Sequence, residues 1–220
     1  MARNSIIPPS PSEETYAVDE DQGDVFTHDD PFALFEEWFA KAIETEPNDP
    51  GAMALATTGR DGLPDVRMVL LKDASESGLT FYSSQHSAKG VELSENPKAA
   101  LCFHWKSIRR QVRFRGTVEE VSPNEADAYF ATRAKGAQVG AWASKQSTPL
   151  SSPDALKKTV AEFEAKFEGA DTPRPDYWTG FRVVPTEIEF WVNRPYRLHD
   201  RRLFKREMSS VGWRALWLNP

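Results

Sequence analysis

The sequence predicts a mostly β protein of the α+β class, an antiparallel barrel with a few helices packed outside it. Two observations support this prediction. Eight short segments are strand-like, with alternating apolar and polar residues or with many β-branched and aromatic residues. The few helical segments lie between groups of strands and do not alternate regularly with them, which favours an antiparallel sheet.

The first helix is predicted over residues 31–45. Asp30 is a good N-cap, Pro31 suits the first helical position, and aromatic residues then follow at helical spacing. Residues 1–30 are polar, acidic and contain several prolines, so we expect a mobile, disordered N-terminal arm there. One folded domain is then expected over residues 31–220.

After residue 51 the hydrophobic period changes to two, as expected for strands that bury one face. The "GRDG" segment at 59–62 is a typical hairpin turn between the first two of them. The predicted strands are 52–58, 65–73, 79–84, 99–105, 110–121, 180–192, 196–207 and 212–218.

Helices are predicted at three further places. The "SPNE" segment at 122–125 matches a capping box with proline at the first position, and it opens a helix that ends near Arg133. Ser152 and Pro153 open another, which ends near residue 168. The "SAKG" segment at 87–90 places Lys89 near the start of a shorter helix, where backbone N–H groups favour anions.

Composition excludes several classes of protein. The single cysteine, Cys102, cannot form an internal disulfide, and no apolar run is long enough for a membrane helix, so a cytoplasmic protein is expected. Ten of the 33 acidic residues lie within residues 1–40, where Arg3 is the only basic residue. The remainder is only slightly basic, which argues against nucleic-acid binding but permits local anion sites.

No nucleotide-binding glycine motif, no GxSxG motif and no metal-ligand spacing among the four histidines is present. We therefore expect no metal, and any phosphorylated ligand must be held by side chains. Arg67 and Lys72 bracket an apolar strand. Strict alternation places them on opposite faces, so both can reach one pocket only if the strand bulges or if Lys72 lies at its end.

The segment "RPYRLHDRR" at 194–202 concentrates positive charge. As a strand it would place Arg197, His199 and Arg201 on one face, with about 6.7 Å between neighbours. Two cations at that distance repel by about 2–3 kcal/mol at an effective dielectric constant near 20. A bound ligand would offset such repulsion, which indicates a binding site.

Seven segments together resemble the pyridoxine/pyridoxamine 5′-phosphate oxidases, in the order and spacing of that family from about Asp30 to Pro220. They are "RMVLLK" (67–72), "FYSS" (81–84), "RRQVR" (109–113), "YFATR" (129–133), "GAWASKQS" (140–147), "IEFW" (188–191) and "RLHDR" (197–201). The resemblance implies an FMN-binding split barrel and a homodimer with FMN at the subunit interface.

The resemblance also implies roles for individual residues. FMN would be contacted by Arg67, Met68, Val69, Leu70, Leu71, Lys72, Tyr82, Ser83, Lys89, Gln111, Gln146, Ser147, Trp191 and Arg201. The substrate would be held by Lys72, Tyr129, Arg133, Arg197, Leu198 and His199. Catalysis would depend on Arg197 and His199, with Asp49 as an assisting carboxylate.

From the residues alone, structural roles stay open for several of these positions. Tyr129 could pack a helix, Trp191 could fill core, His199 could be structural and Asp49 could be a turn residue before Pro50. Two positions depart from many family members. Ala88 stands where an arginine is common, and Ala137 where a serine contacts the substrate phosphate, which removes one hydrogen bond of about 0.5–1.5 kcal/mol.

The activity implied is the oxidation of pyridoxamine 5′-phosphate, and of pyridoxine 5′-phosphate, to pyridoxal 5′-phosphate. A hydride would pass from C4′ of the substrate to N5 of the flavin, and oxygen would be reduced to hydrogen peroxide. Two alternatives stay open. One is a sister oxidase of the same fold that acts on another ring system of the phenazine type. The other is a non-enzymatic carrier of FMN or pyridoxal phosphate.

Overall fold

The computed structural model describes residues 12–13, 22–206 and 212–220. The helices described in full are α1 Pro31–Thr45, α2 Ala88–Glu95, α3 Pro123–Thr132, α4 Lys135–Ala143 and α5 Pro153–Lys166. The strands are β1 Ala52–Thr58, β2 Pro64–Leu70, β3 Asp73–Ser75, β4 Gly78–Ser84, β5 Lys98–Trp105, β6 Arg110–Glu120, β7 Trp178–Val192, β8 Asp200–Arg206 and β9 Trp213–Leu218. The mostly β, α+β class is therefore confirmed.

All nine strands belong to one antiparallel sheet that curves into a half-barrel. The strand order is β2-β1-β5-β6-β7-β4-β3, and β8 and β9 continue from the far half of β7. The long strand β7 reaches three neighbours because its first half pairs with β4 and its second half with β8, while β6 follows both halves. The register shifts once, beside Gly116, where a Cβ atom would lie 1.9 Å from the Val184 carbonyl oxygen.

The core lies between the concave side of the sheet and α1. Phe35 and Trp38 on α1 are buried against aromatic residues of β5, β6 and β7. The predicted N-cap is confirmed, since the Asp30 carboxylate accepts hydrogen bonds from the N–H groups of Phe32 and Ala33 at 2.9 and 2.8 Å. Local capping and aromatic spacing together position α1 over the barrel.

Residues 22–30 pack against the folded body. Val25 is buried, and its carbonyl oxygen accepts a hydrogen bond of 2.9 Å from the Trp38 indole. Arg202 donates to the His28 carbonyl oxygen and to the Asp29 carboxylate. The packed chain therefore begins before residue 31. For residues 1–11 and 14–21 the mobile arm stays a prediction, because they lie outside the described residues.

The predicted strand 196–207 is wrong in its first four residues. Pro195–Arg197 forms a single 3₁₀ turn, and β8 begins only at Asp200. Tyr196 and Arg197 have φ values of 57° and 60°, in the left-handed region that no strand residue occupies. Alternation therefore does not extend from Arg197 to Arg201.

Two other elements differ from the prediction: the end of one strand and a helix that was not predicted. The strand predicted over 65–73 ends at Leu70, and Asp73 opens the short β3. Helix α4 was not predicted as a helix, because its N-cap is Ala134, which offers no side-chain cap, and because two glycines interrupt its sequence. None of the helices in the described part of the chain combines the length and apolar character that a membrane crossing requires.

Candidate active site

A cavity of about 540 Å³ lies beside the end of β2, between β4, the start of β7 and helices α2, α3 and α4. Ten predicted site residues line it: Met68, Val69, Leu70, Lys72, Tyr82, Ser83, Lys89, Tyr129, Arg133 and Gln146. Six others complete the wall: Ser84, Ala137, Gly140, Ala141, Ser144 and Trp178. Elements far apart in sequence thus converge on one space.

Lys89 places a buried cation at one end of the cavity. The residue is 7% exposed, and its Nζ lies 3.2 Å from Ser83 Oγ and 3.3 Å from Gln146 Oε1. Both partners are neutral. Burial lowers the pKa of Lys89, and the nearby positive charge of Arg67 lowers it further, against the opposing effects of Glu92 and Asp65. A buried ammonium whose direct partners are neutral is only partly compensated, and a bound anion would supply the rest.

Arg67 lies outside the cavity wall, although the next three residues of β2 line it. Its guanidinium pairs with the carboxylates of Glu92 at 3.0 Å and Asp65 at 2.6 Å. Lys72 does line the cavity, because it lies two residues beyond the end of β2. Lys72 therefore lies beyond the strand end, as one of the two conditions required, but Arg67 and Lys72 do not line one cavity in this chain.

Three aromatic rings form one wall of the cavity. The ring of Tyr82 stacks on that of Tyr129, with centroids 3.9 Å apart, and lies 5.2 Å from the ring of Trp178. The Arg133 guanidinium lies 4.7 Å from the Trp178 ring centroid. Arg133 is the C-cap residue of α3, so the residue lies one helical turn from Tyr129.

Arg133 supplies a second cation of the cavity. Burial lowers its pKa, and its Nη1 atom is buried with no hydrogen-bond partner among the described residues. A buried donor without a partner costs about 1–3 kcal/mol, unless a ligand accepts from it. The cavity is thus lined by the buried ammonium of Lys89 and the half-buried guanidinium of Arg133, without a carboxylate in contact with either in the described part of the chain.

Because Gly180 has no side chain, the Tyr82 ring has room to pack against it. A Cβ atom at this position would lie 2.8 Å from Tyr82 Cε1 and 2.7 Å from Val121 Cγ2. Gly180→Ala should therefore displace the ring and alter the wall of the cavity, at a cost of about 1–3 kcal/mol in the free energy of unfolding. Gly136→Ala is the matched control, because a Cβ atom there would have no neighbour within 4 Å. Thermal unfolding measures the effect, and a Gly180→Ala protein as stable as the control would contradict this expectation.

Several other predicted site residues form a second cluster on the convex side of the sheet. Gln111, Trp191 and Arg201 lie directly opposite one another on β6, β7 and β8. The ring of His199 lies 4.5 Å from that of Trp191. None of these residues lines the cavity of the same chain. Within one chain, the predicted site residues therefore lie in two separate groups, one in the cavity and one in the second cluster.

The turn at 194–199 holds Arg197, Leu198 and His199 at the surface. Leu198 is 65% exposed. The turn is closed by hydrogen bonds from Leu198 N–H to the Pro195 carbonyl oxygen and from Arg194 N–H to His199 Nδ1, at 3.1 and 3.2 Å. Two consecutive left-handed residues cost about 1 kcal/mol each, and such strain is concentrated at functional sites.

His199 is a neutral imidazole in this environment. Burial lowers its pKa, and the charges of Arg197 and Arg201 lower it further, against the opposing effect of Asp200. Because Nδ1 accepts the Arg194 N–H, the proton of the neutral ring is at Nε2. The side chain therefore offers one N–H donor at Nε2.

Besides Arg67, three predicted site residues lie in neither cluster. Asp49 has a φ of 41° in the turn before β1, and its carbonyl oxygen accepts the Ala52 N–H. Leu71 packs against the core, and Ser147 follows Gln146 in the loop after α4 with a φ of 68°. Trp178 also lines the cavity but was not predicted as a site residue. The available signal was an aromatic residue just before the predicted strand 180–192, but only the strand register places it beside Tyr82.

The antiparallel half-barrel and its basic, aromatic cavity define a split-barrel protein with a site suited to an anionic ligand. Comparison with known families gives the particular family. Residues 39–167 match the family model described as "Pyridoxamine 5′-phosphate oxidase". Residues 178–220 match a second model, described as "Pyridoxine 5′-phosphate oxidase C-terminal dimerisation region". The chain belongs to the pyridoxamine 5′-phosphate oxidase family, as the resemblance of its motifs implied.

Full-length relatives carry the same family name. The chain is 53% identical to the pyridoxine/pyridoxamine 5′-phosphate oxidase of Maricaulis maris over the whole of both chains. It is 59% identical to that of Brucella canis, over 87% of this chain and 94% of the relative. Among solved structures, PhzG from Burkholderia lata in complex with tetrahydrophenazine-1-carboxylic acid superposes with a TM-score of 0.84 at 29% identity, over 92% of this chain and 99% of that one. The family indicates a flavin cofactor.

Proposed function

We propose that this protein oxidises pyridoxamine 5′-phosphate and pyridoxine 5′-phosphate to pyridoxal 5′-phosphate, with FMN as its cofactor. One observation carries the proposal above the others: the cavity is lined by the buried ammonium of Lys89 and by the half-buried guanidinium of Arg133, and neither contacts a carboxylate among the described residues. FMN and the substrate each carry one phosphate. Two sites for phosphate fit two phosphorylated ligands bound side by side.

Lys89 is the residue best placed to hold the FMN phosphate, with Ser83 and Gln146 beside it and the first turn of α2 adding N–H groups. When bound, FMN supplies the hydride-accepting and oxygen-reducing chemistry. Arg67 lies outside the cavity wall and adds positive potential to this end of the site. Glu92 and Asp65 only partly neutralise that positive charge. The chain itself positions the ligands and excludes water.

Lys72, Tyr129 and Arg133 would hold the substrate phosphate at the other end of the cavity. Each charge-assisted hydrogen bond contributes about 1.5–3 kcal/mol, so the hydroxyl lost at Ala137 weakens the site by a smaller amount. Arg197 and Leu198 would face the pyridine ring. His199 keeps its proton at Nε2 and would donate it in a hydrogen bond to a polar ring substituent.

We infer that two chains combine their halves of the site in a homodimer. The convex sheet surface that carries Val66, Met68, Gln111, Trp191 and Arg201 is the open face of the chain. Val66 and Met68 are each 64% exposed there, an apolar patch that association would bury. A two-fold dimer through this face would bring the 194–199 turn of one chain to the cavity of the other.

The decisive experiment is anaerobic addition of pyridoxamine 5′-phosphate to the purified, flavin-loaded protein. Bleaching of the flavin band near its visible maximum, followed by hydrogen peroxide formation when air is admitted, supports the proposal. A protein that retains flavin but does not bleach would be a carrier. The phenazine-type alternative predicts bleaching with a dihydrophenazine acid and not with the B6 vitamers; the PhzG structure shares only 29% identity with this chain.

A further inference from the structure

Glu189 is a buried carboxylate that contacts a predicted FMN ligand. It lies in the middle of β7 on the open face and is 5% exposed. Its Oε1 accepts a hydrogen bond from Arg201 Nε at 2.9 Å, and its Oε2 accepts one from Arg113 Nη2. Burial would raise the pKa of Glu189, but hydrogen bonds from Arg201 and Arg113 lower it, so the group is ionised.

Arg201 is fixed from a second side as well. Its Nη1 donates to the Asn219 carbonyl oxygen at 2.8 Å, near the end of the chain. With Nε and Nη1 both held, the plane of the guanidinium is set. Nη2 has no hydrogen-bond partner in the parts of the chain that the structure describes, and Trp191 lies directly opposite Arg201 in the sheet. The free edge of the guanidinium is thus available to a ligand.

A nearby carboxylate is paired in the same way, but none of its partners is a predicted site residue. Glu187 lies two residues earlier on the same face, and its carboxylate pairs with Arg115 on β6 and Lys205 on β8. Its side chain is 27% exposed, against 6% for Glu189. Buried ion pairs add little net stability, so deep burial of Glu189 calls for a reason other than stability.

We propose that Glu189 is a positioning residue, which fixes the Arg201 guanidinium in the orientation that FMN requires. The inference rests on the proposed function, because it assigns a flavin contact to Arg201. Arg113 compensates the second oxygen of the carboxylate and so keeps Glu189 ionised beside Arg201. The carboxylate itself contacts neither substrate nor cofactor; it acts through the guanidinium, as supporting residues do at ligand sites.

The test compares Glu189→Gln with the matched control Glu187→Gln. The amide keeps the shape of the side chain but removes the charge that holds Arg201. We expect the FMN dissociation constant, measured by quenching of flavin fluorescence, to rise about 10–100-fold in Glu189→Gln and to stay within about twofold of the unmodified protein in Glu187→Gln. Adding Arg201→Lys to Glu189→Gln should cost little more than either change alone, because both remove one interaction.

Each outcome bears on a different statement. If the unmodified protein binds no flavin, the proposed function fails. If it binds flavin and the two glutamine variants bind equally well, the positioning role of Glu189 is overturned. If Glu189→Gln does not fold, the double variant Glu189→Gln, Arg113→Gln removes the uncompensated arginine. Weak flavin binding by that folded double variant supports the role, and full affinity overturns it.

Discussion

Replacing Arg197 by alanine should reduce turnover of pyridoxamine 5′-phosphate by about 100-fold or more, while the FMN dissociation constant changes by less than about threefold. Arg197 is exposed in the strained turn and lies outside the cavity that contains Lys89, so its loss leaves the proposed phosphate site for FMN unaltered. Its proposed role concerns the substrate ring, where one charged group contributes about 2.7–4 kcal/mol to the transition state.

The same substitution should change the pH dependence of the reaction. Arg197 lowers the pKa of His199, so its removal raises that pKa toward the ordinary histidine value. His199 then gains a proton at higher pH than before, and the acidic limb of kcat/KM should move to higher pH. A merely structural role for Arg197 would not produce this displacement.

Two variants serve as controls for Arg197→Ala. Arg197→Lys keeps the charge and should recover part of the rate, while Arg60→Ala removes an exposed arginine from the β1–β2 turn and should change neither rate nor flavin binding. Steady-state kinetics and flavin titration measure all three. If Arg197→Ala lost FMN as severely as turnover, the residue would belong to the cofactor site and its assignment to the substrate would be wrong.

Replacing Lys89 by methionine should have opposite effects on flavin binding and on the stability of the flavin-free protein. Loss of a charge-assisted hydrogen bond of about 1.5–3 kcal/mol should weaken FMN binding about 10–150-fold. Because the ammonium is buried beside neutral partners, its removal should raise the free energy of unfolding of the flavin-free protein by about 1 kcal/mol. Ser83 Oγ and Gln146 Oε1 remain bonded to each other at 3.0 Å.

The stability gain should depend on pH in a defined direction. The folded pKa of Lys89 is below the unfolded value of about 10.4, so the unfolded chain binds more protons between these two values. The stability of the unmodified protein therefore rises with pH across that window. The advantage of Lys89→Met is greatest below the lowered pKa and disappears as the pH approaches the unfolded value.

Chemical denaturation at several pH values, together with flavin titration, tests both parts of the Lys89 prediction. Lys106→Met is the matched control, because Lys106 is exposed in the β5–β6 turn and its replacement should alter neither quantity. A Lys89→Met protein that binds FMN as tightly as the control would remove Lys89 from the phosphate site. A destabilised flavin-free protein would show that the ammonium is well compensated.

Elements with local signals could be predicted from the sequence. The caps at Asp30, Ser122 and Ser152 all accept hydrogen bonds from their helices where expected. The hairpin at 59–62 and most strand bounds also agree with the structure. These signals depend on hydrogen bonds and side-chain periods within a few residues, whereas α4 lacks a capping side chain and could not be found in this way.

The convergence of the site depended on the tertiary structure. Lys89 and Gln146 are 57 residues apart, and only the pairing of β4 with β7 and the packing of α4 bring them within 3.3 Å. The strained turn at 195–197 replaced the first part of the predicted strand 196–207, and the sequence did not distinguish Glu189 from Glu187. Alternation along a strand is set by the local backbone, whereas strand register and burial are set by contacts between distant segments. For this reason the sequence shows which cations the chain has, but only the folded chain shows that Lys72, Lys89 and Arg133 line one cavity while Arg197 and Arg201 lie outside it.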